Sequence, residues 1–455
     1  MNALLFTPCG RGRPRYAHVL LLLGLLFALC CHPDPSAEPA DQKAATRIAI
    51  AWNQLALDLE RHTPGYRAPL GARAFAYVEM AAYESALPAL EGYVSLKKMC
   101  PGYVPPPAPA GEHHHLPAAL NAAYARILSR FFAAAPAAWQ QRISHLEVDQ
   151  YNTWGAEESQ AAIQYGRAVA DAVWAFAQTD SMGVAGVAQP FDPHFPMKNE
   201  PGCWQPDLGT SGPLLPRWGA ARLFALKSGE ITAHPTVPIG ADAGLAFHTE
   251  AMEVFTTAHE LDKEAVWIAE FWSDDLPGLT LSPAGRWISI ANQALAQAQP
   301  AFPKVMETYL KTAWALCDAG IVCWEAKYRY QLLRPDQYIR QHIQHNWAPL
   351  HAAPPFPSFP SGHATFGAAA AEVLTAQLGE HFRLTDRTHE GRAEFASMPR
   401  SFRSFEQMAE ENAFSRVLMG VHYRMDCEEG LRLGKAIGQK ISRLHLHWHE
   451  AAVRQ

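Results

Sequence analysis

The chain has 455 residues, of which 49% are hydrophobic and 18% charged. This composition excludes an intrinsically disordered protein and allows a large buried core. The formal net charge is −6, which argues against nucleic acid as the main partner, because phosphate backbones are bound by basic surfaces. The length leaves the number of domains open, since several domains or one large helical unit are compatible with it.

Residues 1–31 are typical of an export signal. Three arginines within residues 11–15 precede an apolar run, residues 19–29, that is too short to cross a bilayer as a helix. Cys30 and Cys31 directly follow this run, so lipid attachment and ordinary signal cleavage are equally open. Either interpretation predicts an exported protein, periplasmic or anchored to the outer membrane by lipid. No later stretch has the pattern of a transmembrane segment.

Most of the remaining chain has the pattern of helices. Ala- and Leu-rich windows carry apolar residues three and four positions apart, and no convincing alternation predicts a strand. A Gly- and Pro-rich segment, residues 182–240, interrupts the helices and predicts a functional or surface-wrapping loop. We therefore predict an all-α protein in which an N-terminal helical region, 32–240, packs with a C-terminal helical region, 241–455, as one compact unit.

The first candidate motif is a pair of cations, Lys327 and Arg334, near the end of a predicted helix that Pro335 terminates. The two residues are seven positions apart, so a continuing helix would carry both on one face. Two fixed positive charges on one face suit an anion. Taken alone, however, such a pair more often belongs to a solvated helix face.

The second candidate motif is the sequence FPSFPSGH, residues 356–363, which leads into an Ala-rich helix. Ser361 is a suitable N-cap, and Gly362 lets a ligand approach the backbone closely. The free N–H groups and dipole of a helix start favour an oxyanion. His363 could exchange a proton beside that anion. Taken alone, the segment is more often a helix cap whose histidine simply packs.

The third candidate motif combines Arg416, His422 and Asp426. The arginine can bind two oxygens of an anion at once. Asp426 follows His422 by one helical turn, so its carboxylate can hold one imidazole N–H and leave the other nitrogen free to bond. Taken alone, Arg416 and Asp426 are equally good candidates for structural ion pairs.

Together the motifs resemble the signature of the superfamily that joins vanadium-dependent haloperoxidases to phosphatidic-acid-phosphatase-type acid phosphatases. The signature is present as K-x6-R-P at 327–335, P-S-G-H at 360–363 and S-R-x5-H-x3-D at 415–426. Every position matches, in order. The resemblance implies a helical-bundle haloperoxidase/acid phosphatase-like fold and a pocket for vanadate, in which phosphate can substitute.

The resemblance also implies a role for each matched residue. His422 bonds vanadium axially, His363 deprotonates hydrogen peroxide, and Lys327 polarises the bound peroxide that halide attacks to give hypohalous acid. The residues that hold the oxygens of the anion are Lys327, Arg334, Ser361, Gly362 and Arg416.

A further segment, residues 267–276, looks like the one that supplies a carboxylate to the vanadate-binding arginine in haloperoxidases. This resemblance implies that Asp275, or in second place Asp274, pairs with Arg416. A helix C-terminus with solvated acids is an equally open interpretation.

The signature does not separate vanadate from phosphate, because both are tetrahedral oxyanions of similar charge. The aromatic residues Trp324 and Phe356 resemble the halide pocket of haloperoxidases, and the chain looks most like the bacterial iodide- or bromide-type enzymes. We expect iodide as substrate, bromide as second candidate, and leave chloride open. The alternative is a periplasmic acid phosphatase in which His422 forms a phosphohistidine and His363 protonates the leaving alcohol. A non-enzymatic oxyanion-binding scaffold is a third hypothesis.

Overall fold

A computed structural model of the protein describes residues 38–66, 68–109, 115–153, 159–207, 211–237, 244–276, 278–393 and 398–447. The predicted export signal, with Cys30 and Cys31, lies outside the described residues. Residues 41–455 form one compact unit.

Helices make up nearly all of the regular structure in the described part of the chain. They are α1 (Ala40–His62), α2 (Leu70–Ala86), α3 (Leu116–Phe131), α4 (Ala137–Tyr151), α5 (Gln160–Gln178), α6 (Ser181–Ala188), α7 (Gly244–His259), α8 (Lys263–Phe271), α9 (Pro283–Ala298), α10 (Phe302–Tyr330), α11 (Pro335–His342), α12 (Gly362–Leu378), α13 (Phe405–Leu418) and α14 (Arg424–Ser442). Short 3-10 helices cover Leu87–Ala89, Leu96–Lys98 and Trp218–Ala220. Of these helices, none is long and apolar enough to cross a membrane. The predicted all-α class is confirmed.

One small antiparallel ribbon was not predicted. It pairs β1 (Leu384–Asp386) with β2 (Arg400–Phe402), with Thr385 opposite Ser401. Strands of three residues are too short for an alternating pattern to stand out in the sequence.

Helix α10 forms the centre of the fold. It is buried along almost its whole length and packs against α2, α12 and α14. A helix buried on all sides lacks the polar face of a surface helix, and α10 accordingly carries apolar residues around most of its circumference. This position brings its C-terminal end, with Trp324 and Lys327, to the middle of the molecule.

Helices α12 and α14 approach each other closely because α14 has glycine at every fourth position of one face. A Cβ added at Gly430 would lie 2.7 Å from the Ala364 Cβ, and one at Gly434 would lie 2.3 Å from the Thr365 carbonyl oxygen. Gly438 meets α12 in the same way one turn later. The stripe therefore sets the distance between the helix that begins after Ser361 and the helix that carries Asp426.

The Gly- and Pro-rich segment begins with helix α6 and then runs over the surface towards α10. Asp318 of α10 is fully buried and accepts hydrogen bonds from the backbone N–H groups of Phe224 (2.8 Å), Ala225 (2.9 Å) and Leu226 (3.1 Å). Earlier in the same segment, the Leu214 carbonyl oxygen accepts hydrogen bonds from two residues nearer the C-terminal end of α10, Trp324 and Tyr328. The segment is thus fixed to the central helix rather than projecting from it.

Candidate active site

The three motifs meet at one cavity of about 80 Å³. Predicted residues that line it are Trp324, Phe356, Gly362, His363, Arg416, His422 and Asp275. The others, Lys327, Arg334, Ser361 and Asp426, are buried directly behind this lining and reach it through the contacts given below. Residues as far apart in the chain as Asp275 and His422 therefore surround a space that suits a small anion and one or two further small molecules.

His422 is held by a carboxylate on one side. Asp426 Oδ2 accepts hydrogen bonds from His422 Nδ1 (3.0 Å), the Tyr423 backbone N–H (3.2 Å) and the Ser358 hydroxyl (2.5 Å). With its proton on Nδ1, the imidazole keeps a lone pair on Nε2, and Nη1 of Arg334 lies 3.4 Å from that atom. Burial, and then the neighbouring cations, hold the pKa of His422 well below its usual value. The ring is therefore neutral and able to bind a metal centre.

Lys327 is fully buried and shapes the loop that precedes α12. Its ammonium donates hydrogen bonds to the carbonyl oxygens of Pro357 (3.0 Å), Ser358 (2.8 Å) and Pro360 (2.6 Å). An ammonium has three N–H donors, so all of them are used by this loop. Burial lowers the pKa of Lys327, and burial likewise raises the pKa of nearby Asp426.

The two arginines of the site differ in how fully their donors are used. Arg334 donates to the carbonyl oxygens of Phe356 and Val421, both at 2.8 Å, but its buried Nη2 has no partner. Arg416 donates to the Ser415 hydroxyl at 3.0 Å and to the Trp272 carbonyl oxygen. Burial lowers the pKa of each guanidinium to about 10, so both stay charged at neutral pH.

The start of α12 is tied to both neighbouring motifs. Ser361 caps the helix by accepting from the Ala364 N–H (3.4 Å), while its own backbone N–H donates to the Asp426 carbonyl oxygen (2.9 Å). His363 Nε2 accepts from Nη1 of Arg416 at 3.3 Å. Burial and the three surrounding cations hold the pKa of His363 well below its usual value. The ring is therefore neutral.

An aromatic wall closes one side of the cavity. The ring centroids of Trp324 and Phe356 are 5.0 Å apart. The Phe356 ring lies between two cations, because the Lys327 Nζ is 5.1 Å and the Arg334 Cζ 4.9 Å from its centroid. Such cation–π contacts stabilise buried charge. The wall therefore combines an apolar surface with positive charge behind it, an environment that suits a weakly hydrated anion.

Asp274 and Asp275 both line the cavity, but they differ in their environment. The charge of Asp274 acts on the pKa of Arg416, whose hydrogen bonds go to other groups. Asp274 Oδ1 lies 3.6 Å from Nη1 of Arg286. Asp275 has a positive φ of 76° and its backbone N–H donates to the Leu281 carbonyl oxygen. The pairing of Asp275 with Arg416 stays a prediction.

Sequence reasoning missed two groups at the site. Ser358 donates to Asp426, and its place in the FPSFPSGH segment is the signal that could have identified it, since it is a polar residue among apolar ones. His351 lines the cavity with its Nε2 3.0 Å from Glu270 Oε1. Nothing in the local sequence marks that pair, because its members lie 81 positions apart.

Known proteins resemble this chain both in sequence and in structure. Residues 307–450 match the family model of the VCPO second helical-bundle domain. The vanadium chloroperoxidase of Curvularia inaequalis is 28% identical over a match that covers 25% of this chain and 26% of that protein. The chain thus spans about a quarter of the length of this curated relative.

Solved structures extend the similarity to almost the whole chain. A bacterial vanadium-dependent iodoperoxidase is 28% identical, with a TM-score of 0.78 and coverage of 89% of this chain and 98% of that one. The holo form of a bacterial vanadium-dependent chloroperoxidase has the same fold, with a TM-score of 0.66, 16% identity, and coverage of 89% and 95%. The resemblance predicted from the three motifs is thereby confirmed: the second helical bundle matches a haloperoxidase family model, and almost the whole chain has the fold of the vanadium-dependent haloperoxidases.

Proposed function

We propose that the protein oxidises iodide, with bromide as second candidate, by hydrogen peroxide to hypohalous acid with vanadate as cofactor. One observation carries this proposal: a neutral imidazole and the buried guanidinium of Arg416 line one cavity with the aromatic wall of Trp324 and Phe356, and a second guanidinium, Arg334, is buried behind that wall. An oxyanion site alone would serve a phosphatase equally. The apolar wall beside it has an evident use only if a weakly hydrated halide enters.

The donor set fits vanadate. Arg334 has a buried Nη2 without an acceptor, and a buried guanidinium N–H left unpaired is costly unless a ligand accepts from it. The first N–H groups of α12, from Gly362 onwards, have no acceptor within the helix. His422 Nε2 keeps a lone pair for the metal centre. Bound vanadate would supply a Lewis acid that activates hydrogen peroxide without a change of oxidation state.

The residues of this chain then have distinct tasks. Arg334 and Arg416, with the start of α12, neutralise the charge of the anion and hold its oxygens. His363 takes a proton from incoming hydrogen peroxide, a role that a neutral imidazole can perform. Lys327 acts through its charge and through the loop it holds. Direct contact of its ammonium with an oxygen would require exchange of one of its three carbonyl partners.

The choice of halide rests on chemistry and on similarity. Iodide is the most easily oxidised of the three halides, and its large, weakly hydrated surface suits an aromatic wall. The relative with a TM-score of 0.78 is described as an iodoperoxidase. Both points favour iodide over chloride.

The test is to add orthovanadate and hydrogen peroxide to the vanadate-free protein and measure oxidation of iodide, bromide and chloride. We expect activity with iodide that depends on vanadate and that phosphate inhibits by competition. His422→Ala should abolish it, while His445→Ala, at an exposed position, serves as the matched control. If vanadate only inhibits an efficient phosphomonoester hydrolysis and no halide is oxidised, the protein is an acid phosphatase with a phosphohistidine intermediate.

We also propose that this activity is exported. The apolar run before Cys30 and Cys31 supports removal of an N-terminal signal. Mass spectrometry of the protein from its native host should find a mature N-terminus near these cysteines, with or without attached lipid. An intact N-terminus would contradict export by this signal.

A further inference from the structure

The proposed reaction consumes protons that the cavity is poorly suited to attract. Oxidation of halide X⁻ follows H₂O₂ + X⁻ + H⁺ → HOX + H₂O: the O–O bond breaks, an X–O bond forms, and one proton leaves in water. The cavity contains buried cations, and the pKa of His363 is held low. A positive site repels protons, so each turnover needs a route that delivers one.

At the inner end of such a route there is a carboxyl group that lines the cavity itself. Asp274 lines the cavity and is 5% exposed, and neither of its carboxylate oxygens has a hydrogen-bond partner. Nη1 of Arg286 is 3.6 Å from Oδ1, an ion pair that is too long for a hydrogen bond. A buried carboxyl with both oxygens unsatisfied is costly as an anion and is well suited to hold a proton.

A second carboxyl lies behind this loop. Glu60, near the end of α1, is 2% exposed; its Oε2 accepts from the Ser282 N–H at 3.3 Å, and its Oε1 has no partner. The side chain fits between two glycines, because a Cβ at Gly71 would lie 2.7 Å from Oε1 and one at Gly285 3.1 Å from Oε2. Both glycines therefore leave room for a buried acid.

A second, smaller cavity lies beside Glu60. It has a volume of about 10 Å³, about the space that one water molecule needs. Its lining includes Glu60 and Arg61 from the end of α1, and Asp275 and Leu276 from the loop after α8. Asp275 and Leu276 also line the cavity of about 80 Å³ at which the three motifs meet, here called the oxyanion cavity. The loop that carries Asp275 and Leu276 thus borders both cavities, and Asp274 precedes Asp275 in the lining of the larger one.

We propose that Glu60, Asp275 and Asp274 form a proton path from the surface near Arg61 to the oxyanion cavity. This inference rests on the proposed function. The three residues act by passing protons to the site and are not themselves in contact with halide or peroxide.

The charged groups around the path favour this use. Glu60 is surrounded by Tyr66, Arg61, Asp274 and Asp275. Asp274 is surrounded by Arg286, Arg416, Asp386 and Asp275. Burial, the largest effect at each, raises the pKa of both carboxyls to about 7. Groups with a pKa near the working pH exchange protons most efficiently.

The experiment compares the wild type with Glu60→Gln, Glu60→Asp and a matched control, Glu79→Gln. Glu79 is another fully buried carboxyl, but it bonds to Tyr124 and is not among the residues that line either cavity. For Glu60→Gln we expect kcat for iodide to fall roughly tenfold or more above neutral pH, with unchanged vanadate affinity. Added imidazolium should restore part of the rate, and Glu60→Asp should keep most of it. Glu79→Gln should keep the wild-type pH profile.

A second readout does not depend on turnover. In vanadate-free protein, the infrared carbonyl band of protonated Glu60, identified by its loss in Glu60→Gln, should shift within the dead time of transfer to D₂O. The band of Glu79 should exchange slowly, because Glu79 is fully buried and lines neither of the two cavities. A wild-type pH profile in Glu60→Gln, or slow exchange of the Glu60 band, would make Glu60 a structural carboxyl. If the wild type oxidises no halide, the proposed function fails. The hydrogen-exchange rates of the Glu60 and Glu79 bands then decide by themselves whether protons reach Glu60 through the cavity.

Discussion

The close approach of α12 and α14 can be tested by adding single methyl groups along the glycine stripe. In Gly430→Ala, the new Cβ would lie 2.7 Å from the Ala364 Cβ and 2.8 Å from the Ser361 carbonyl oxygen. Overpacking of this kind costs about 1 to 3 kcal/mol, and the better helix propensity of alanine offsets about 1 kcal/mol of it. The helices must separate, and Ser361 and His363 move with the start of α12.

Gly438→Ala provides the matched control. Its Cβ would meet the Ala369 carbonyl oxygen and the Glu372 Cβ, both at 2.6 Å, so the clash is similar in size. It lies two turns, about 12 Å, further from the site. We therefore expect similar losses in the free energy of unfolding from the two variants. Vanadate affinity should fall roughly tenfold to a hundredfold in Gly430→Ala only, since misplacement by about 1 Å is that costly.

The assays are urea unfolding and titration of each variant with orthovanadate. Wild-type affinity in Gly430→Ala, or an equal loss in Gly438→Ala, would refute the idea that the stripe positions the oxyanion site. Stability unchanged in both variants would show that the helices accommodate the methyl groups without separating.

Three further outcomes are expected. Asp426→Asn should weaken vanadate binding roughly tenfold to a hundredfold, because the carboxylate that orients His422 is lost. Titration of the variant with orthovanadate measures this loss, and an affinity equal to that of the wild type would contradict it. Asp318→Ala should lower the free energy of unfolding by about 3 kcal/mol or more, since three backbone N–H groups lose their acceptor. A melting temperature within about 1 °C of the wild type would exclude a stabilising role for Asp318. Burial raises the pKa of Glu79 from 4.5 to about 8, so the folded state binds the proton more tightly and wild-type stability falls as pH rises between these values. Glu79→Gln should make this fall less steep, since other buried carboxyls such as Glu60 and Asp274 still contribute to it; parallel pH profiles of wild type and variant in urea unfolding would be evidence against a contribution from Glu79.

Several features of the fold were predictable because they depend on neighbouring residues. The helical class follows from apolar residues three and four positions apart, and a helix face is a local property. The N-cap role of Ser361 was also predictable, since a serine before an Ala-rich run serves the first turn of its own helix. The ribbon of β1 and β2 was not, because its strands are too short to show a period.

Other features were not predictable because they depend on contacts between distant segments. The spacing of Lys327 and Arg334 shows only two cations, whereas in the structure the ammonium of Lys327 is fully used by backbone carbonyl oxygens while Arg334 keeps an unpaired Nη2. The spacing of seven residues cannot distinguish them. Which carbonyl oxygens face each cation depends on how the loop before α12 folds back over α10.

By itself the sequence determined the helical class, the family resemblance and the residue types that an oxyanion requires. Only the tertiary structure decided how close those residues lie and which of their polar atoms are already used. The glycines of α14 illustrate the reason. The three glycines destabilise an isolated helix: Gly430, Gly434 and Gly438. They contribute to the fold only because α12 packs against them at a distance that no side chain would allow. A contact of that kind is a property of two surfaces that meet on folding, and neither segment encodes it alone.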